Sequence, residues 1–332
     1  MVVTTGFFDG VHLGHRHILS CLAAKAAERG EDSLVVTFWP HPRTVLQQDA
    51  RELRLLSTLQ EKCDLIRSMG IDRVEVLPFT REFAALDAAG YLRLLRERFG
   101  ASLVLMGYDN RIGSDLLTAT QLATYGGEAL PAVEAVSSPV LASPDRQAKP
   151  EGSVRPCGAI PPTPWAPPVH EATGGHAALQ ASPDGLPISS TRIRKALADG
   201  DVALANAMLG YRYSLHGVVV AGNKMGRTIG FPTANMKLYE PLKLIPAGGV
   251  YAVEVETLDS TFRGMCNIGV RPTVGPGNAL TVETNIFDFN EDIYGLDITI
   301  RFLARIRDER RFDSLDALRA QLAIDKSACE KY

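Results

Sequence analysis

Apolar positions along this chain recur with two periods, one of strands and one of helices. Val2 to Phe8 is a β-type apolar run that meets Asp9-Gly10, after which Ile18, Leu19, Leu22, Ala23 and Ala26 recur at helical spacing. Leu34-Val35-Val36-Thr37-Phe38 predicts a second strand, broken by Pro40 and Pro42. A helix is predicted from Glu61 to Met69, a strand from Val74 to Leu77, a helix from Ala88 to Phe99 and a strand from Leu103 to Met106; Gly70 and Gly100 end the two helices. Strands alternating with helices imply a mostly parallel sheet with helices on both faces. Such sheets bind ligands beyond the carboxyl ends of their strands. That singles out the segments 6–15, 40–42 and 107–113.

From about Ser137 to Leu186 the periodicity dissolves into Pro, Gly, Ser and Ala, as in Pro161-Pro162-Thr163-Pro164-Trp165-Ala166-Pro167-Pro168. The expectation is a solvated insertion, with a Pro-rich partner-binding tract as its rival. Helical patterning resumes behind Ile188-Ser189-Ser190-Thr191 and runs through Ala198 to Asp199-Gly200. Beyond Tyr213 the texture changes to short β-type runs at Leu215 to Ala221, Val250 to Glu256, Gly264 to Ile268, Leu280 to Ile286 and Leu296 to Phe302. Regularly spaced short strands with Gly and Pro turns predict a small β-barrel. A final amphipathic helix follows, with Leu315, Leu318, Ala320 and Leu322 as its apolar positions.

The 332-residue length fits two domains, since single cores stop growing at roughly 250–300 residues. A formal net charge of −3 supplies no field to hold a polyanion, so nucleic acid is not an expected partner. No apolar run approaches the roughly 20 residues that cross a bilayer, and Met1 to Gly6 lacks the basic region of a signal peptide. No membrane partner is expected, and the expected compartment is the cytoplasm. Cys21, Cys63, Cys157, Cys266 and Cys329 form no C-x-x-C pair and read as reduced thiols. Self-association is left open.

Two segments carry candidate chemistry. In Gly6-Phe7-Phe8-Asp9-Gly10-Val11-His12-Leu13-Gly14-His15, two imidazoles lie three residues apart where a strand gives way to a helix. Free N–H groups and the positive end of the helix dipole suit that place to a phosphate, and two histidines there can neutralise charge as pyrophosphate leaves. The plain alternative is a pair of capping histidines. A zinc site built from His12, His15 and His17 is the sharper rival, with no cysteine or acidic cluster beside it. The second segment is Gly222-Asn223-Lys224-Met225-Gly226-Arg227-Thr228-Ile229-Gly230-Phe231-Pro232-Thr233-Ala234-Asn235. Its glycines and cations can cover phosphates, and Thr233 and Asn235 offer the hard oxygen donors that Mg²⁺ prefers. It is not a Walker A loop. Read alone, its glycines and proline mark a turn.

The first segment resembles the nucleotide-binding signature of the FAD synthetase module in prokaryotic bifunctional riboflavin kinase/FAD synthetases, a branch of the HxGH nucleotidyltransferases. The resemblance continues in order through Thr37-Phe38-Trp39-Pro40-His41-Pro42, Leu56-Ser57-Thr58-Leu59-Gln60-Glu61-Lys62, Gly107-Tyr108-Asp109-Asn110-Arg111-Ile112-Gly113 and Ser189-Ser190-Thr191-Arg192-Ile193-Arg194. The second segment resembles the riboflavin kinase signature of the same family. So do Gly249-Val250-Tyr251, Asn267-Ile268-Gly269-Val270-Arg271-Pro272-Thr273, Val282-Glu283-Thr284, Asp292-Ile293-Tyr294-Gly295 and Arg307-Asp308-Glu309.

The resemblance implies an α/β Rossmann-like nucleotidyltransferase domain over residues 1–208, then a small β-barrel riboflavin kinase domain over 209–332 with a C-terminal helix. It implies two ATP-using reactions, riboflavin to FMN and FMN to FAD with pyrophosphate, assisted by Mg²⁺. In the first module it places ATP against Gly6, Phe7, Asp9, Gly14, Gly107, Asp109, Ser190 and Thr191, with His12, His15 and Arg194 in the chemistry. Hydroxyls at a helix start and a forked guanidinium suit a triphosphate, although Ser-Ser-Thr before a helix is also an ordinary cap. In the second module it places ATP against Gly222, Lys224, Gly226, Arg227 and Thr233, the metal on Thr233 and Asn235, and the flavin against Arg307 and Glu309. Glu283 becomes the general base, with Arg305, Arg310 and Arg311 beside the flavin.

Three departures fall on the first module. The sequence opens on its first strand where relatives carry an upstream segment, so a missing sheet edge is expected. Asn110 and Ile112 stand where aromatic residues are common, and the following turn is shortened to Ser114-Asp115-Leu116. The Pro-rich insertion precedes the Ser-Ser-Thr motif. A kinase with a degraded first module is therefore one alternative. A flavin-binding protein without turnover is another, against which Thr233, Asn235 and Glu283 argue.

Overall fold

The computed structural model describes residues 1–46, 53–107, 110–124, 130–136, 186–222, 225–271 and 279–332. The Pro-rich stretch up to residue 185, together with Asp109 and Lys224, lies outside them, as does the side chain of Arg227. The chain divides into two compact units, residues 1–53 with 57–189 and residues 54–56 with 190–332. The division expected after residue 208 thus meets a grouping in which residues 190–208 belong with the barrel.

The first unit begins β1 (Val2–Thr5), α1 (Leu13–Arg29), β2 (Ser33–Trp39), α2 (Pro42–Leu46), α3 (Leu59–Arg67) and β3 (Arg73–Pro78). It continues with α4 (Arg81–Ala84), α5 (Ala88–Phe99), β4 (Leu103–Gly107), β5 (Arg111–Ile112), β6 (Leu117–Thr118), α6 (Ala119–Ala123) and β7 (Ala132–Val136). The sheet order is β3-β2-β1-β4-β7 with every pairing parallel, and β5 and β6 form a separate short ladder. β1 therefore lies at the centre. The chain builds outward from it on both sides, so the order reverses between β1 and β4, where ligands of such sheets bind.

Packing explains the element boundaries. Asp87 caps α5 by accepting from Gly90 N at 2.7 Å, and Gly100 closes it at φ 66°. Its apolar stripe of Tyr91, Leu92, Leu95 and Phe99 packs with Val3, Leu34, Val36 and Val104 of the sheet. Each such fully buried side chain contributes about 1.5–3 kcal/mol. The shortened turn after Gly113 docks on the same helix start, where Asp115 Oδ1 accepts from Ala88 N at 2.9 Å.

The second unit contains α7 (Ser190–Ala198), α8 (Val202–Leu209), β8 (Ser214–Val220), α9 (Met225–Thr228), β9 (Ala234–Leu238) and β10 (Gly249–Thr257). β11 (Ser260–Arg271), β12 (Ala279–Ile286), β13 (Asp297–Arg307) and α10 (Leu315–Cys329) complete it. The strands close an antiparallel barrel in the order β10-β11-β12-β9-β8-β13. Asn206 of α8 ties that helix to the barrel, its Nδ2 donating to Phe302 O at 2.9 Å and its Oδ1 accepting from Tyr213 N at 2.7 Å.

The apolar face expected for the last helix packs in part: Leu322 meets the Ala252, Met265, Phe287 and Cys329 cluster and Leu318 is half-buried. Leu315 is 59 % exposed and Ala320 is exposed, while Asp325 and Cys329 are buried. The helix is seated by an ion pair: Arg307 Nε donates to both Asp325 oxygens at 3.0 Å and Nη2 to Oδ2 at 2.7 Å.

Candidate active sites

In the first unit the segment after β1 makes a tight turn before α1. Phe8, Gly10 and Val11 take φ of 53°, 80° and 37°. For Phe8 and Val11 this left-handed region is strained, and the burial of both side chains holds it. His12 caps α1, its Nδ1 accepting from His15 N at 3.3 Å. A neutral His12 whose Nδ1 accepts carries its proton on Nε2. The two imidazoles stack with centroids 3.7 Å apart and planes 14° from parallel. A Cβ at Gly14 would stand 3.2 Å from the His12 ring, so a glycine lets the ring lie down over the helix.

Burial holds His15 well below the ordinary histidine pKa, with His12 and then Lys62 adding to the effect. Its Nδ1 is buried without a hydrogen-bond partner. An orphaned ring nitrogen at a helix N-terminus suits the arrival of an anion.

Three further segments converge on this turn. Asp9 Oδ1 accepts from Ser57 N at 3.1 Å and Ser57 Oγ at 3.3 Å, and Gly10 N donates to Ser57 Oγ at 3.0 Å. The Phe7 carbonyl accepts from Thr37 Oγ1 at 3.1 Å and Lys62 Nζ at 3.0 Å. His41 stands edge-on to the Phe7 ring at 4.1 Å. Gly107 ends β4 beside α1, where a Cβ would come within 3.0 Å of Ile18. The residues expected from Gly6 to His15, with Gly107, thus meet at one end of the sheet. Asp109 lies outside the described residues. Ser190, Thr191 and Arg194 begin α7 in the second unit, where Arg194 Nε donates to Arg54 O at 2.8 Å.

The zinc rival finds no support. Among the described residues no three His, Cys, Asp or Glu are grouped to hold a metal, and His17 faces Cys21 at 3.9 Å instead. The four described cysteines are free.

In the barrel, strand register brings separate motifs together. Glu283 of β12 lies opposite Asn235 of β9 on one side and Asn267 of β11 on the other. Directly opposed side chains share a face about 4.5–5.5 Å apart, so the three polar groups form a row. Gly269, two residues beyond Asn267, shares that face. A Cβ there would stand 2.7 Å from Glu309 Oε1, which puts Glu309 in the same neighbourhood. At Gly222 a Cβ would fall 2.2 Å from the Asn235 amide, so the Asn235 side chain occupies the space a larger residue would fill. Gly226 accepts from Phe231 N at 2.8 Å and folds the loop back on itself.

On the opposite face of β12 a cavity of about 550 Å³ is lined by Thr233, Ala234, Thr284, Ile286 and the segment 289–294. Thr233 thus opens on the cavity while Asn235 and Glu283 stand on the other side of the strands. Burial pushes the Cys266 thiol up to about 12, which makes it a poor nucleophile. Arg307 is held by Asp325, as above. Sequence reasoning named neither Asn267 nor Lys62 for a role. Their place within the ordered motifs was the available signal.

The fold and the two sites define an α/β nucleotide-binding unit of the HxGH type joined to a barrel with a phosphate-loop motif. The FAD synthetase family profile matches residues 1–141, and the riboflavin kinase profile matches residues 209–332. A bifunctional riboflavin kinase/FMN adenylyltransferase of Bacillus subtilis (strain 168) is 32 % identical, covering 100 % of this chain and 92 % of its own. The enzyme of the same description from Escherichia coli (strain K12) is 34 % identical, with the same two coverages. A solved Streptococcus pneumoniae chain described as a macrolide-efflux protein aligns with TM-score 0.80 and 31 % identity, over 100 % of this chain and 94 % of that one. Among the described residues of the present chain no helix is long and apolar enough to cross a membrane. The chain belongs to the family of bifunctional riboflavin kinase/FMN adenylyltransferases.

Proposed function

We propose that the barrel transfers the γ-phosphoryl group of ATP to riboflavin and that the first unit transfers AMP from ATP to the resulting FMN. In the kinase step the ribityl 5′-oxygen bonds to the γ-phosphorus, the bond to ADP breaks, and Glu283 takes the hydroxyl proton. Gly222, Lys224, Gly226, Arg227 and Thr233 would hold the nucleotide, and Glu309 with Arg307 the flavin side. Thr233 and Asn235 carry oxygen donors of the type Mg²⁺ accepts, but Thr233 lines the cavity while Asn235 stands on the other side of the strands, so their sharing of one ion rests on the motif. Bound there, Mg²⁺ would neutralise and orient the phosphates of ATP.

In the adenylyl step an FMN phosphate oxygen bonds to the α-phosphorus and pyrophosphate leaves. Gly6, Phe7, Asp9, Gly14 and Gly107 would shape the cradle, while His12 and His15 donate to phosphate oxygens where charge shifts toward pyrophosphate. Asp109, Ser190, Thr191 and Arg194 remain assigned by motif. The observation that carries the reading is the stacked His12–His15 pair on the head of α1, with a buried His15 nitrogen awaiting a partner. A cytoplasmic location fits substrates of this kind.

The test is to incubate the purified protein with riboflavin, ATP and Mg²⁺ and separate the flavins chromatographically. FMN followed by FAD is the expected course. FMN alone would leave only the kinase, and neither product would leave a flavin-binding protein.

A further inference from the structure

Lys62 is 1 % exposed, so its ammonium group is enclosed in the first unit. Its Nζ donates to Phe7 O at 3.0 Å and to Phe38 O at 3.3 Å and stands 3.9 Å from the centre of the Phe7 ring. Burying a cation against two neutral carbonyls is costly. The Phe7 carbonyl does not need it, because Thr37 Oγ1 already donates there.

Local sequence explains how the lysine is aimed. Thr58 caps α3 through a capping box, its Oγ1 accepting from Glu61 N at 3.1 Å while Glu61 Oε2 accepts from Thr58 N at 2.8 Å. That fixes the first turn of α3, and with it Lys62 one residue beyond Glu61 and Ser57 one residue before Thr58. Ser57 grips Asp9 and Gly10, and Lys62 grips Phe7. The strained Phe8 lies between these anchors.

We propose that Lys62 is a positioning residue for adenylyl transfer, clamping the Phe7 carbonyl so that the 6–11 turn delivers His12 and His15 to the phosphates in fixed geometry. The proposal rests on the adenylyl-transfer reading of this turn. It adds a cation that touches no substrate and works through the backbone. The same charge also faces His15, whose other close groups are the stacked His12 and the edge of the Phe8 ring. Asp9 acts on Lys62 from the turn, and His41 reaches the turn through the Phe7 ring.

Two variants separate the clamp from simple packing. Lys62→Met removes donor and charge, and Lys62→Gln keeps an N–H donor without the charge. Expected for Lys62→Met is a fall in kcat for FMN adenylylation of about 10- to 100-fold, the scale of a small misplacement of catalytic groups. KM values should change little and the kinase rate of the same chain should hold. Lys62→Gln should recover part of the loss. In ligand-free protein, the His15 titration followed by NMR should move up in both variants, and by a similar amount in Lys62→Gln, which keeps the side chain's polar contact and most of its bulk, as loss of the charge requires.

If the native protein makes no FAD, the functional reading fails, and the His15 titration still decides whether Lys62 acts on the pair. Should Lys62→Met fail to fold, Thr37→Val removes the other donor to the same carbonyl and should give a smaller fall in kcat. A kcat within about twofold of native in the folded variants, or an unmoved His15 titration, overturns the proposal.

Discussion

Replacing Asp325 by Asn removes one charge and little volume from the seat of α10. Asp325 is 1 % exposed and the Arg307 side chain 16 %, so the pair is shielded from water. Three Arg307 hydrogen bonds and one from Gln321 Nε2, at 2.8 Å, converge on this carboxylate. Removing one partner of such a pair leaves the other buried and uncompensated, a loss of about 3–5 kcal/mol. Asparagine keeps one acceptor oxygen, which places the expectation at the lower end, about 3 kcal/mol. With two units in one chain, a single unfolding curve does not isolate this quantity. Hydrogen exchange of β10 and β13 amides does, and their opening free energy should fall by that amount. The double change Arg307→Met with Asp325→Leu should recover most of it, since apolar groups of similar volume replace buried pairs well. A loss below about 1 kcal/mol for Asp325→Asn would refute the reasoning, because it would mean that the pair is effectively solvated.

In flavin assays, Glu283→Gln should abolish FMN formation while FMN-to-FAD conversion continues, since an amide accepts no proton; loss of both activities would contradict separate sites. Thr233→Ala and Asn235→Ala should raise the Mg²⁺ concentration required by the kinase step only, and unchanged rates at limiting Mg²⁺ would refute the ligand assignment. His12→Ala or His15→Ala should lower FAD synthesis by about two orders of magnitude, the scale of one preorganised donor, with the kinase spared; equal FAD rates in both would dismiss the pair. Lys62→Met should stabilise the first unit at pH 7 by about 1–2 kcal/mol. Burial draws Lys62 from 10.5 to about 8, a cost of about 3 kcal/mol below pH 8, against which two modest hydrogen bonds are lost. Between pH 8 and 10.5 the unfolded chain holds the extra proton, so the native protein gains stability as pH rises and the gap to the variant should close. A variant less stable at pH 7 would refute that cost.

Much of this architecture was legible because local signals and packing agree. The helix predicted from Ala88 to Phe99 has those bounds, since Asp87 and Gly100 are cap residues and its stripe meets the sheet. Among the elements that escaped, three did so for clear physical reasons. Val202 to Leu209 is apolar nearly all round, as VALANAML, so it shows no helical period. β7 alternates weakly through Ala132-Val133-Glu134-Ala135-Val136 and takes its identity from pairing with β4. β9 was absorbed into the reading of the phosphate loop, although Asn235 stands in the barrel register opposite Glu283. The sites were legible as ordered motifs. What joins Glu283 to Asn235 and Asn267 is register across β9, β11 and β12, which no local pattern encodes.

Asp325 and Lys62 show why charged residues escape a periodicity reading and how two buried charges differ in meaning. Each sits on a helix where a charge would normally face water. Asp325 meets a guanidinium in nearly full hydrogen-bonded geometry, so its burial is balanced and it orders α10 against β13, two residues from Glu309. Lys62 has no carboxylate within ion-pair distance among the described residues, and burial draws its pKa down to about 8 against the opposing pull of Asp9. A balanced charge is explained by the structure it seats, whereas an unbalanced one leaves a deficit that packing does not explain. Perturbed groups of the second kind gather at active sites, where stability is given up for geometry. The strained Phe8 and Val11, the buried His15 nitrogen and Lys62 all lie in or against one short turn of the first unit. Strain, an orphaned polar atom and an undercompensated cation are three costs borne by the same turn. Their coincidence at the head of α1 is what an anionic ligand bound there would relieve.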